Sequence, residues 1–203
     1  MIKVLNKGYI HLVEHMGGDA SIIESARRCW RSTSKGEESD RKLIRHLLQK
    51  GHKTPFESMT FRFDVKCPLF VARQWVRHRI AGLCEESLRY CVAEKEYYVP
   101  KNLSTAMRVS WQEHHERQFD AYEEYVQSGI PKEQARSVLP IGIYTKFYWF
   151  INGSSLLNFV ELRTDPHAQQ EIREYANAIL WYIEDVAPIT MEEWKKLRQI
   201  PHG

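Results

Sequence analysis

Ser58-Met59-Thr60-Phe61-Arg62-Phe63-Asp64-Val65-Lys66-Cys67 alternates apolar and polar residues along its length. Successive side chains of a strand point to opposite faces. Met59, Phe61, Phe63 and Val65 therefore share one face, and Thr60, Arg62, Asp64 and Lys66 the other. This is the clearest strand in the chain, and the rest is read outward from it. On its C-terminal side, Pro68 opens a helix through Phe70, Val71, Trp75 and Val76 that runs into Arg77-His78-Arg79. A charged loop follows, then a short extended piece at Tyr97-Tyr98-Val99-Pro100. On its N-terminal side, Gly51 stops a helix from Asp40 to Lys50 whose stripe is Leu43, Ile44, Leu47 and Leu48. Before it lie a polar loop at 31–37, a helix from Asp19 to about Trp30, and a hairpin over residues 1–16.

Further along, residues 103–127 read as a long charged helix, and Pro131 starts a short helix that ends before Pro140. Residues 143–151, Ile-Tyr-Thr-Lys-Phe-Tyr-Trp-Phe-Ile, are β-formers and read as a buried strand ended by Asn152-Gly153. Helices at about 154–163, 167–186 and 190–198 close the chain. There is no internal repeat, low-complexity tract or linker, and no clean βαβ rhythm. The expectation is one α/β (mixed α+β) domain over residues 1–203, with a central, mostly antiparallel sheet flanked by helices.

The 203 residues are long enough to bury a sizeable core without disulfide staples. Hydrophobic residues at 43% and charged residues at 27% argue against disorder. The formal charge of +3 and pI of about 8.6 are too mild to announce a nucleic-acid binder but suit a phosphate-bearing ligand. No stretch approaches the roughly 18 apolar residues of a membrane span, and the N-terminus has no secretory leader pattern. Cys29, Cys67, Cys84 and Cys91 form no metal-binding spacing and read as free thiols of a cytoplasmic protein.

The strongest local constellation is Arg77-His78-Arg79, then Ser87 after seven intervening residues, then Arg89. Guanidinium groups meet phosphate oxygens with forked, charge-assisted hydrogen bonds, and a serine hydroxyl adds a donor. A plain alternative is a cationic helix C-terminus favoured by the helix dipole. No GxGxxG or Walker loop is present, so any dinucleotide is held some other way.

Gln74-Trp75-Val76-Arg77-His78-Arg79 with Ser87-x-Arg89-Tyr90 resembles the signature of flavin-dependent thymidylate synthases. Further blocks match in order: Gly51-His52-Lys53-Thr54-Pro55-Phe56-Glu57, then Ala135-Arg136-x-Val138-Leu139-Pro140, then Asn152, Asn158-Phe159, Leu162-Arg163 and His167-Ala168-Gln169. The resemblance implies methylation of dUMP to dTMP, with 5,10-methylenetetrahydrofolate as carbon donor and reduced FAD, recharged by NADPH, as hydride donor. It implies no enzyme cysteine nucleophile, no metal, no nucleic acid and no membrane. It also implies a homotetramer with sites where subunits meet.

Carried over residue by residue, the resemblance makes Arg163 the cation at the uracil edge, favouring ionisation of the ring nitrogen. Ser87 and His52 join it in the catalytic set, Ser87 as a ligand-positioning hydroxyl and His52 near flavin and folate. The dUMP contacts are Gln74, Arg77, Glu85, Glu86, Ser87, Leu88, Arg89, Arg136 and Arg163. The FAD contacts are Thr54, Arg77, His78, Arg79, Glu85, Asn152, Ser154 and Asn158. Thr54-Pro55-Phe56-Glu57 also reads as a capping box with Thr54 as N-cap. The chain departs from the family at Gly82 and Cys84, where Ser and then Asn or Gln are frequent, at Leu88, where a small residue is, and at Ser154, where an arginine is.

Two other classes compete. A nucleic-acid module would use the 77–89 arginines as a phosphate track. His11-Leu12-Val13-Glu14-His15 matches the H-x-x-E-H pattern of a metal hydrolase. On a strand, however, the two histidines share a face about 13 Å apart, too far for one metal. His114 and His115 are adjacent on the long helix and read as surface residues.

Overall fold

The structure is a computed structural model that describes residues 1–198. Five antiparallel strands form one sheet in the order β1-β2-β3-β5-β4. They are β1 (Ile2–Val4), β2 (Gly8–Met16), β3 (Thr60–Pro68), β4 (Gly82–Glu85) and β5 (Tyr144–Asn152). The alternating stretch at 58–67 forms the central strand, paired on one side with β2 and on the other with β5. Phe61, Phe63 and Val65 lie opposite Ile151, Trp149 and Phe147, and these six form the floor of the core.

Helices α1 (Asp19–Arg28), α2 (Glu37–Gln49), α3 (Leu69–Trp75), α6 (Gly153–Arg163), α7 (Gln170–Val186) and α8 (Pro188–Arg198) supply most of the rest of that core. The remaining helices are α4 (Thr105–Gln127) and α5 (Lys132–Ala135). Helix α4 packs on α5 and on the segment before it: Trp111 Nε1 donates to the Tyr98 carbonyl at 2.9 Å, and Tyr122 Oη accepts from Ala93 N at 3.3 Å.

The opposite face of the sheet carries Arg62, Asp64, Tyr148 and Phe150. Tyr148 and Phe150 are 46% and 43% exposed, so β5 is buried on one face rather than two. Arg62 forms an ion pair with Glu14 at 3.1 Å and lies over the Tyr148 ring.

Several expectations are corrected. The segment after Arg79 is not simply a loop, because Gly82–Glu85 pairs with β5 as an edge strand. Helix α2 starts at Glu37, so the preceding loop is shorter; Glu37, Glu38 and Asp40 favour a helix N-terminus. Thr54 does not cap a helix. Residues Thr54–Ser58 form a 3-10 turn with Lys53 at its N-cap and no side-chain cap bond. Only five residues separate Lys53 from Met59, where the chain is already extended, which leaves no room for an α-helix.

A β-bulge between Leu12 and Glu14 puts His11 opposite Asp64 and His15 opposite Phe61. The two histidines thus lie on opposite faces of β2, a stronger separation than strand spacing alone implies. His115 is buried at 5% exposure, with its ring stacked on Tyr97 and Trp111 and its Nδ1 2.8 Å from the Trp111 carbonyl; it is not a surface residue.

Two polar ties close the helical layer. Arg27 on α1 pairs with Asp40 on α2 at 2.7 Å, both nearly buried. Glu193 on α8 has no exposure and bonds Arg45 at 2.5 Å and Arg41 and Lys196 at 3.1 Å. The hydrogen bond from Arg45, with those from Lys196 and Arg41, holds the Glu193 carboxyl at about 2. A depressed carboxylate stabilises the fold above its ordinary range, and that contribution is lost as pH falls from about 4.5 toward 2. Glu193→Gln should lower unfolding stability by about 2 kcal/mol at neutral pH. Urea midpoints for both forms should converge as pH falls through that window; an equal deficit at pH 7 and pH 3 would count against this role.

Candidate active site

The site begins with Trp75. Its side chain has no exposure and meets Phe147, Trp149, Phe159 and Tyr175 with ring centroids 5.0 to 5.6 Å away. That burial fixes the last turn of α3. The helix ends at Trp75, one turn earlier than its sequence pattern suggests, because the chain must turn back to enter β4 at Gly82. Arg77, His78 and Arg79 therefore stand beyond the helix, in a turn where His78 N donates to the Trp75 carbonyl at 3.0 Å. Arg77 and Arg79 are exposed, and among the described residues no carboxylate pairs with either.

The second wall is α6. Asn152 is its N-cap, with Oδ1 accepting from Ser155 N at 2.8 Å, so this side chain is partly spent on the helix. Gly153 follows, and a Cβ there would sit 2.6 Å from the Phe56 carbonyl. The missing side chain lets α6 start hard against the 3-10 turn that carries Thr54.

Arg163, at the other end of α6, reaches the α3 turn. Its Nε donates to His78 Nε2 at 3.0 Å and its Nη2 to the Gln74 carbonyl at 3.3 Å. Burial, with the Arg163 charge beside it, drives His78 down to about 4, so the ring is neutral at physiological pH. Burial and nearby Arg77 lower Arg163 from the usual guanidinium range. Gln74 Nε2 also donates to Gln169 Oε1 at 2.5 Å.

A second group forms around the loop after β4. Thr145 Oγ1 donates to Glu85 Oε1 at 2.6 Å. Lys146 N donates to Glu86 Oε1 at 3.0 Å, while Glu86 N donates to the Lys146 carbonyl at 2.9 Å. Both carboxylates are thus turned to β5. The Ser87 hydroxyl accepts from Arg89 N at 3.3 Å, and Leu88 beside it is half-buried. Arg89 bonds Glu133 Oε2 at 3.2 Å, and Arg136 Nε donates to the Glu133 carbonyl at 3.3 Å. These bonds bring Arg89 and Arg136 to one short stretch around Glu133. Among the described residues no hydrogen bond or ion pair joins this group to the Arg163 group. The sequence reading missed Thr145, Lys146 and Glu133; their only signal was position within β5 and before Arg136.

Between α2, α6 and α8 lies a cleft of about 1040 Å³. His52, Ser154, Asn158 and Arg163 line it, together with Phe56 and Trp194. Thr54 is exposed and lies outside that lining; Lys53 takes its place. A shallower hollow of about 560 Å³ on the other side includes Asn152, Ile80 and Phe150.

A neutral imidazole, a half-buried guanidinium, two exposed guanidinium groups and a cleft are the groups and the space that suit an anionic small-molecule ligand. The family model described as thymidylate synthase complementing protein matches residues 11–189. The flavin-dependent thymidylate synthase of Thermotoga neapolitana is 42% identical over 96% of this chain and 94% of its own length. That of Pseudothermotoga lettingae is 40% identical over 97% and 94%. The UMP/dUMP methylase PolB from Streptomyces cacaoi, solved with 5-Br dUMP, superposes with a TM-score of 0.88 at 28% identity, covering 96% of this chain and 97% of that one. The chain belongs to the flavin-dependent thymidylate synthase family, and it is an enzyme of that kind.

An NMR titration of the imidazoles should place the His78 midpoint near 4. Arg163→Ala should raise it only partway toward 6.5, since burial is the larger cause. A native midpoint near 6.5 would contradict the geometry described.

Proposed function

We propose that this enzyme methylates dUMP to dTMP, with Arg163 as the cation that activates the uracil. Arg163 itself carries the reading: a guanidinium in the lining of a cleft, held by two neutral acceptors, with N–H groups left over. Placed at the uracil edge, it lowers the energy of negative charge on the ring nitrogen and so raises electron density at the carbon to be methylated. Among the described residues no carboxylate pairs with the arginine, so no neighbouring negative charge cancels its field at the ligand.

The nucleotide phosphate goes to the second group. Ser87, Arg89, Arg136 and the backbone from Glu85 to Leu88 form its cradle, with Gln74 and Arg77 at the base end. The Glu85 and Glu86 carboxylates serve as braces to β5 rather than as ligand contacts, since an anion would be repelled by them. Arg89 exchanges its Glu133 partner for phosphate, and both charge-assisted bonds are of similar kind.

FAD fits the cleft in chemistry: Phe56, Leu157 and Trp194 offer apolar wall, and Ser154, Asn158 and His52 offer hydrogen-bonding groups. Arg79 completes its contacts, with Arg77 and the Glu85 backbone beside it and Thr54 at the rim; Asn152 lines the hollow on the other side and would meet a flavin held by a neighbouring subunit. When bound, the reduced flavin supplies the hydride; methylenetetrahydrofolate supplies the carbon and NADPH the recharging electrons. The chain's own work is to position the ligands and exclude water. The methylation in this reading uses no cysteine nucleophile; Cys67 is buried with its thiol pushed up by that burial, and Cys29, Cys84 and Cys91 are exposed. All four cysteines are free, which suits a cytoplasmic enzyme.

We further propose a homotetramer of this single-domain chain, in which one subunit's Arg89 group meets another's Arg163 group. Its support is the separation of the two groups within the chain and the exposed Met16, Ile80, Tyr148 and Phe150 on the bare side of the sheet. Light scattering should give about four times the 24.0 kDa chain mass; a monomer with full activity would refute shared sites.

In turnover assays with FAD, NADPH and methylenetetrahydrofolate, the wild type should form dTMP, and Arg163→Ala should lose at least about 100-fold in kcat. Arg89→Ala should raise KM for dUMP about tenfold or more and retain FAD. Wild-type turnover by Arg163→Ala would remove the activating cation from this account.

A further inference from the structure

We propose that His78 is a positioning residue for Arg163, an uncharged acceptor that orients the guanidinium without neutralising it. The inference rests on the reading of Arg163 as the group facing the uracil, and it gives His78 a task other than the flavin contact its place in the Arg-His-Arg run suggests.

The geometry is specific. Arg163 Nε donates to His78 Nε2 at 3.0 Å, and Nη2 donates to the Gln74 carbonyl at 3.3 Å. A guanidinium has five N–H groups in one plane, so two bonds fix that plane and leave three N–H groups for a ligand. His78 is itself held. Its ring packs edge-on against Phe159, which has no exposure, with centroids 4.7 Å apart. Its backbone N–H donates to the carbonyl of Trp75. Phe159 also contacts Trp75, so one aromatic cluster sets both sides of the junction.

The choice of partner matters chemically. A carboxylate would orient Arg163 more strongly, but its negative charge would cancel the field the uracil is meant to feel. A neutral imidazole accepts one hydrogen bond and leaves the net charge at +1. That role requires Nε2 to carry the lone pair and Nδ1 the proton. The depressed titration of His78, caused by burial and by Arg163, agrees with that state.

A double-mutant cycle on the FAD-loaded enzyme tests this, reading the dUMP dissociation constant from the ligand-induced change in flavin absorption. His78→Phe keeps the ring against Phe159 and removes the acceptor; it should weaken dUMP binding about tenfold. His78→Gln, whose amide oxygen can accept, should recover affinity to within about threefold of wild type. In an Arg163→Ala background, His78→Phe should change affinity less than about twofold, because its target is gone. Equal losses in both backgrounds, failure of Gln to rescue, or loss of FAD from His78→Phe would each overturn the proposal. If Arg163→Ala itself binds dUMP like wild type, the assignment of Arg163 fails as well, which separates that failure from the failure of His78 alone.

Discussion

The burial of the Trp75 indole is the constraint on which the site depends. An aromatic side chain removes roughly 200 Å² from water, and at about 25 cal/mol per Å² that is worth about 5 kcal/mol. The Nε1–H has no partner among the described residues, and an unmade buried bond costs about 1–3 kcal/mol. Burial wins, and it is directional. Trp75 is packed by β5 through Phe147 and Trp149, by α6 through Phe159 and by α7 through Tyr175. Residues on either side of it, Gln74 and Arg77-His78, are thereby delivered to the end of α6, where Arg163 waits. A packing decision in the core becomes a geometry of charges at the surface.

A similar logic organises the loop after β4. That strand is short and exposed, with little apolar content to hold it. What secures its end is polar: Thr145 takes the Glu85 carboxylate, and the Lys146 backbone clasps both the carboxylate and the backbone N–H of Glu86. Lys146 is in turn paired with Glu94 at 2.6 Å, and Glu94 lies 3.6 Å from the nearly buried Lys66, which also pairs with Glu96. The loop bearing Ser87 and Arg89 is therefore braced from β5 and β3, while the Arg89 side chain stays exposed.

The sheet and its helices were legible because their periodicities are strong. The alternation at 58–67, the hairpin at 1–16 and the β-formers near 143–151 all became strands of the one sheet. Gly82-Leu83-Cys84-Glu85 was not legible: four residues with no alternation become a strand only because β5 offers an open edge. His115 escaped because nothing local tells that Tyr97, distant in sequence, will stack on it. The bulge at Val13 is equally invisible, although it decides which face His15 takes. Of the candidate site, residue types and order were readable from the matching blocks. Their partners were not, because His78 with Arg163, and Glu85 with Thr145, are joined by folding across 60 residues or more.

The central claim is that flavin and dUMP share one site built around Arg163. The most direct measurement is the visible absorption spectrum of the purified protein, loaded with FAD and freed of excess, during titration with dUMP. The account predicts a retained flavin band that shifts and saturates with dUMP. A protein that holds no flavin, or whose flavin spectrum ignores dUMP, would contradict it.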